Sequence, residues 1–216
     1  MADPFLLDAQ VQRVLAQAKL KPNSATVVQQ VVECSTAFIT PSVALSNQYQ
    51  FFTSAGGVDP RWQTTSFNGG TGSDTSTIWV CYGFDIQHNF VSSAATGLPQ
   101  ALAEKSFLES SYLTVNASAG SMQLASIPLY DLVNYDIVRN GANDGFTTIR
   151  KTNSKFNFDD RDVITLKGGS SYLFNLNTPT NLTAGAGVAI FNPPSGAPTT
   201  GYFMKLRLYA VKVANI

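Results

Sequence analysis

Charge is what this sequence most conspicuously lacks. Charged residues make up 13% of its 216 positions, about half the usual share of a soluble domain, and 14 Lys and Arg cancel 14 Asp and Glu. A balance of zero excludes the strongly basic character of a protein that grips nucleic acid. Histidine occurs once, at His88, and cysteine twice, at Cys34 and Cys81. Zinc sites need several such ligands at short spacing, and a Ser or Cys nucleophile would need His88 with an orienting carboxylate. No Gly-X-Ser-X-Gly pattern supplies one. The two thiols lie far apart in apolar, strand-like runs, so they read as buried free thiols and not as a disulfide framework. No stretch approaches the roughly 20 apolar residues that span a bilayer. No basic region followed by an apolar run marks a signal peptide, so a soluble product made in a cytoplasm is expected.

What is present is a chain built to fold. Hydrophobic residues are 44%, and 16 Gly with 10 Pro are too few for disorder or a collagen-like repeat. The surface must be made mainly of Ser, Thr, Asn and Gln. Such a surface suits a protein that meets copies of itself, because each buried unpaired charge would cost several kcal/mol. A neutral β-domain with no special partner is the plainer reading.

The first segment differs from the rest. Asp3 and Pro4 read as an N-cap and first turn, and Leu7, Val11, Val14, Leu15 and Ala18 recur at helical spacing. Lys19 and Lys21 fall at the C-terminal end of this helix and Pro22 stops it. Residues 1–23 are therefore expected as an amphipathic helical arm, packed on its own domain, on a neighbouring subunit or against a membrane surface. From Ser24 to the end the period is two, predicting a single β-domain over 24–216. Strands are predicted over 26–40, 48–53, 77–91, 112–117, 122–129, 146–150, 163–167, 171–177, 187–192 and 202–213, with 61–67 weaker and a short helix over 98–108. In the strand from Thr77, the residues Ile78, Val80, Tyr82, Phe84 and Ile86 share one phase, Trp79 and Asp85 the other, and Gly83 offers a bend or bulge. Gly168-Gly169 reads as a hairpin turn. Many strands joined by uneven loops, without βα alternation, predict an all-β antiparallel jelly-roll sandwich or barrel.

Candidate chemistry is sparse. His88 reads as a core or barrel-mouth residue. Asp159, Asp160 and Asp162 around Arg161 read as a turn, or as an interface calcium site that lacks the twelve-residue loop spacing. The glycine stretch 68–73 lacks a following Gly-Lys-Ser/Thr, and Arg150, Lys151 and Lys155 read as a solvated loop. Trp62, Trp79, Tyr82 and Tyr112 could make a sugar-stacking shelf, with Trp79 directed outward or into an interface. No catalytic, cofactor-binding or metal-binding residue is assigned, and no cofactor is expected.

The helix at 3–21, the uncharged surface and three C-terminal runs (Asp162 to Gly169, Tyr172 to Asn177, and Tyr202-Phe203-Met204-Lys205-Leu206-Arg207-Leu208) together resemble the viral jelly-roll capsid proteins of tailless icosahedral phages that enclose a membrane. Members with two rolls per chain are longer, so one roll is expected here. The resemblance implies a structural virion protein, not an enzyme. It would be a major or minor capsid component, a homo-oligomer that also joins other capsid proteins. Its N-terminal helix would touch a neighbour or the internal membrane, and it would not grip nucleic acid directly. The competing readings are a carbohydrate-binding β-sandwich module and a receptor-binding spike domain.

Overall fold

A computed structural model describes residues 9–21, 26–39, 46–53, 75–88, 106–117, 122–132, 135–140, 145–150, 156–157, 163–178 and 202–214. Helix α1 (Ala9–Gln17) precedes strands β1 (Val27–Ile39), β2 (Gln48–Phe51), β3 (Thr77–His88), β4 (Tyr112–Ala117), β5 (Met122–Pro128), β6 (Tyr135–Asn140), β7 (Gly145–Arg150), β8 (Phe156–Asn157), β9 (Ile164–Lys167), β10 (Tyr172–Asn177) and β11 (Tyr202–Ala214). Short helical turns occupy 106–110 and Leu129–Leu132. The elements anticipated at 61–67, 98–105 and 187–192 lie outside the described residues, as do Asp3, Pro4 and the glycine stretch 68–73.

The chain is mainly β, in two antiparallel sheets. The first runs β1-β11-β3, with β8 and β9 sharing the far edge of β3; the second runs β2-β10-β4-β5. A separate ribbon pairs β6 with β7. Among the described residues the two sheets face each other and do not close into a barrel. The reason for this layering is written in β11, where Met204, Leu206, Leu208 and Ala210 are fully buried and Lys205, Arg207 and Tyr209 lie half-buried on the other side. Phe174 of β10 is the joint between the layers, with ring centroids 5.1 Å from Phe52 and 6.4 Å from Phe84, both edge-to-face. Each such buried side chain contributes about 1.5–3 kcal/mol, so the sandwich core dominates stability over any surface contact.

One irregularity in β3 reassigns its faces. Tyr209 pairs with Gly83 but Ala210 pairs with Cys81, so Tyr82 is an extra residue in β3. Because side chains alternate with period two, one inserted residue exchanges inside and outside. The phase expected to run unbroken from Ile78 to Ile86 is therefore split. Phe84 and Ile86 point into the core, whereas Ile78, Val80 and Tyr82 lie on the outer face of the sheet. Trp79 and Cys81 take the inward positions. The outward Trp79 read from the sequence is thus corrected: its side chain is 1% exposed.

Helix α1 covers this displaced apolar strip. Val11, Val14 and Leu15, at helical spacing, bury against Val80, Val211 and Val213. The helix ends in a Schellman motif: Leu20 N–H donates to the Leu15 carbonyl, Lys19 N–H to that of Ala16, and Lys19 takes the left-handed conformation at φ 56°. The helix lies on the sheet of its own chain, and its solvent side carries Gln10, Gln12, Arg13 and Ala16.

Gly168-Gly169 does not make a hairpin within one sheet. β9 belongs to the first sheet, on β3, and β10 to the second, on β2 and β4, so the turn crosses the sandwich. Alternating apolar residues specify an inward face but not which sheet supplies it, which is why the sequence reads the same either way. Gly169 sits at φ 75°, and a Cβ there would lie 2.7 Å from Thr75 Cγ2. Gly169→Ala is expected to cost about 2 kcal/mol and to lower the melting temperature by roughly 4–8 °C, measured by thermal denaturation.

Candidate functional site

The groups that could carry chemistry are dispersed. His88 ends β3 opposite Met204, in the inward phase and half-buried. Cys34 and Cys81 are both free and buried. Cys34 stands opposite Arg207 on β11, on the outer face, while Cys81 points into the core and its thiol donates to the Gly83 carbonyl over 3.5 Å. With β11 between their strands and their side chains on opposite faces, the two sulfurs do not meet. Among the described residues no group of three His, Cys, Asp or Glu could hold a metal ion. Trp62, the aspartates at 159, 160 and 162, and Lys151 and Lys155 lie outside the described residues, and Arg150 closes β7.

Trp79 is built into the core. Its Nε1–H donates to Glu33 Oε1 over 3.4 Å, Glu33 is itself buried, and the Lys212 ammonium lies 5.5 Å from the ring centroid. No sugar could stack on it. Of the proposed aromatic shelf, Tyr82 packs against the α1 cluster and Tyr112 stands on the other sheet, so the structure does not bring them together.

Two surfaces remain, one on each sheet. On the outer face of the first, Arg207 holds Asp85 in a two-pronged ion pair, Nε to Oδ1 at 2.6 Å and Nη2 to Oδ2, and the Tyr209 hydroxyl donates to Oδ2 over 2.7 Å. The Arg207 guanidinium also lies 5.7 Å from the Tyr209 ring centroid. Donating hydrogen bonds to Asp85 pushes the Arg207 guanidinium further up. Burial, joined by the bond to Asp85, pushes the Tyr209 phenol up to about 12 from 10.0. Burial also raises Tyr49. Raised phenol values mean that the folded chain holds these protons more tightly than the unfolded one. For Tyr209 the stabilisation is complete below pH 10 and lost as pH climbs toward about 12. Spectroscopic phenolate titration should show a late component that vanishes in Tyr209→Phe; a Tyr209 that titrates with the other phenols would contradict the network.

The outer face of the second sheet is different in kind. Register places Gln48, Asn177, Tyr112 and Pro128 in one cross-strand row and Gln50, Asn175, Thr114 and Ser126 in the next. A further row holds Leu173, Asn116 and Gln123. None of these is charged. Gln48 Nε2 donates to Asn177 Oδ1 and Asn177 Nδ2 to Thr114 Oγ1, each over 3.0 Å, and the Thr114 hydroxyl donates to the Asn175 carbonyl over 3.3 Å. Sequence reasoning missed this surface because it contains no motif, although the polar residues at alternate positions of β2, β4 and β10 were its signal. No family model matches the chain, and no curated protein does.

Proposed function

We propose that the chain is a single jelly roll that assembles with copies of itself into the shell of an icosahedral, phage-type virion. The observation that carries this reading is the pairing of the eight strands β1–β5 and β9–β11. Taken in chain order, the first pairs with the last, the second with the seventh, the third with the sixth and the fourth with the fifth. That order is the one expected of a long antiparallel ribbon folded double and wound into two sheets, and it supports the jelly-roll reading. β6, β7 and β8 are then an excursion between its fifth and sixth strands. A zero net charge with few charged groups fits subunits that cover one another, as major or minor capsid components beside other capsid proteins. It does not fit a direct grip on nucleic acid. The role is mechanical, the location is the virion, and synthesis is in the host cytoplasm. The amphipathic stripe of α1 is taken up by its own sheet, so contact with a neighbour or an internal membrane would pass through its polar side. A carbohydrate-binding role loses its main support with Trp79 in the core. Negative-stain microscopy of the concentrated protein should reveal rings, sheets or shells; a field of single small particles under all conditions would overturn the reading.

A further inference from the structure

We infer that the outer face of the second sheet is the surface by which one copy meets another, an inference that rests on the shell reading and names its interface. A solvated surface carries charge at about 25–35% of its positions, whereas every position that register places on this face is uncharged. The opposite outer face presents Asp85, Arg207 and Lys205 and is partly covered by α1, so docking there would strip water from charges.

The chemistry of the uncharged face favours its own copy over a charged partner. An amide side chain holds donors and an acceptor together, so two identical faces can satisfy one another about a two-fold axis, where a charged residue would confront its own like. Among the described residues the side chains of Gln50 and Asn116 make no hydrogen bond, leaving their donors and acceptors available. The Gln48–Asn177–Thr114 chain of bonds holds its neighbours in place, which lowers the entropy lost on contact. Tyr112, 44% exposed in the first of the cross-strand rows, is of the type enriched at interfaces.

Area sets the strength. Four strands at about 4.8 Å spacing and six residues at about 3.4 Å give a footprint of roughly 400 Å², half the 800 Å² or so that a standard interface takes from each partner. The face therefore supports a reversible contact repeated through an assembly, not an obligate dimer.

The test is sedimentation velocity over a concentration series of the full chain. Wild type should shift to faster species as concentration rises. Gln50→Glu with Asn116→Glu places carboxylates on the face; it should keep the wild-type melting temperature and need about 100-fold more protein to associate. Gln50→Glu alone, on the exposed edge strand β2, should show a smaller loss of about tenfold, which guards against a folding failure in the pair. Gln87→Glu, exposed on the outer face of the first sheet, should associate like wild type. Unchanged association of the double variant would overturn this assignment while leaving the shell reading standing. Glycan-array capture by wild type that both carboxylates abolish, with association intact, would make the face a sugar site and overturn it too. A wild type that never associates would remove both.

Discussion

Replacing Trp79 with Ala is expected to destabilise the domain by about 4 kcal/mol and lower its melting temperature by roughly 8–16 °C. The indole is 1% exposed between the sheets, and its Nε1–H is bonded to a buried Glu33. Truncation removes the largest fully buried side chain among the described residues and opens a cavity that paired strands on both sides cannot close. The same change strips a hydrogen bond from a carboxylate that is itself 2% exposed. Trp79→Phe keeps most of the volume and should cost about 1–2 kcal/mol, which isolates the hydrogen-bond share. A sugar-stacking tryptophan would behave oppositely, losing ligand with the fold intact.

Arg207→Ala should cost about 2–4 kcal/mol, seen as a fall of roughly 4–16 °C in thermal denaturation. Removing the guanidinium leaves Asp85, whose side chain is 10% exposed, with Tyr209 alone for support. Arg207 is itself 32% exposed, which places the cost below that of a fully desolvated pair. The loss belongs to the stranded carboxylate and not to the attraction as such, so replacing both members by Leu should recover most of the stability. A loss below about 1 kcal/mol in Arg207→Ala would mark the pair as an ordinary surface contact.

Much of the sandwich was legible where local pattern and tertiary role agree. β11 shows this best, because its alternation holds from Met204 to Ala210 and that inward set is buried as read. β3 shows the limit. Gly83 marked the bulge, but its effect on Trp79 depends on which strand carries the extra residue, and that is fixed by pairing with β11. The crossing at Gly168-Gly169 was hidden because a turn between sheets and a turn within one sheet use the same residues. β6, Tyr-Asp-Ile-Val-Arg-Asn, went unread because Val138 and Arg139 break the alternation begun by Tyr135, Asp136 and Ile137. The paired order of the strands is a property of the whole chain, and no window of sequence holds it. Low charge was visible at once, yet only the register gathers the uncharged side chains of β2, β4, β5 and β10 onto one face.

Light scattering of the purified chain over a concentration series, at about 0.05 M and about 1 M salt, tests most directly whether copies cover one another through uncharged surfaces. The expected result is a mass that climbs well above the 23.2 kDa of one chain as protein is added, to much the same extent at both salt levels. A mass fixed at one chain throughout, or an association that salt abolishes, would contradict it.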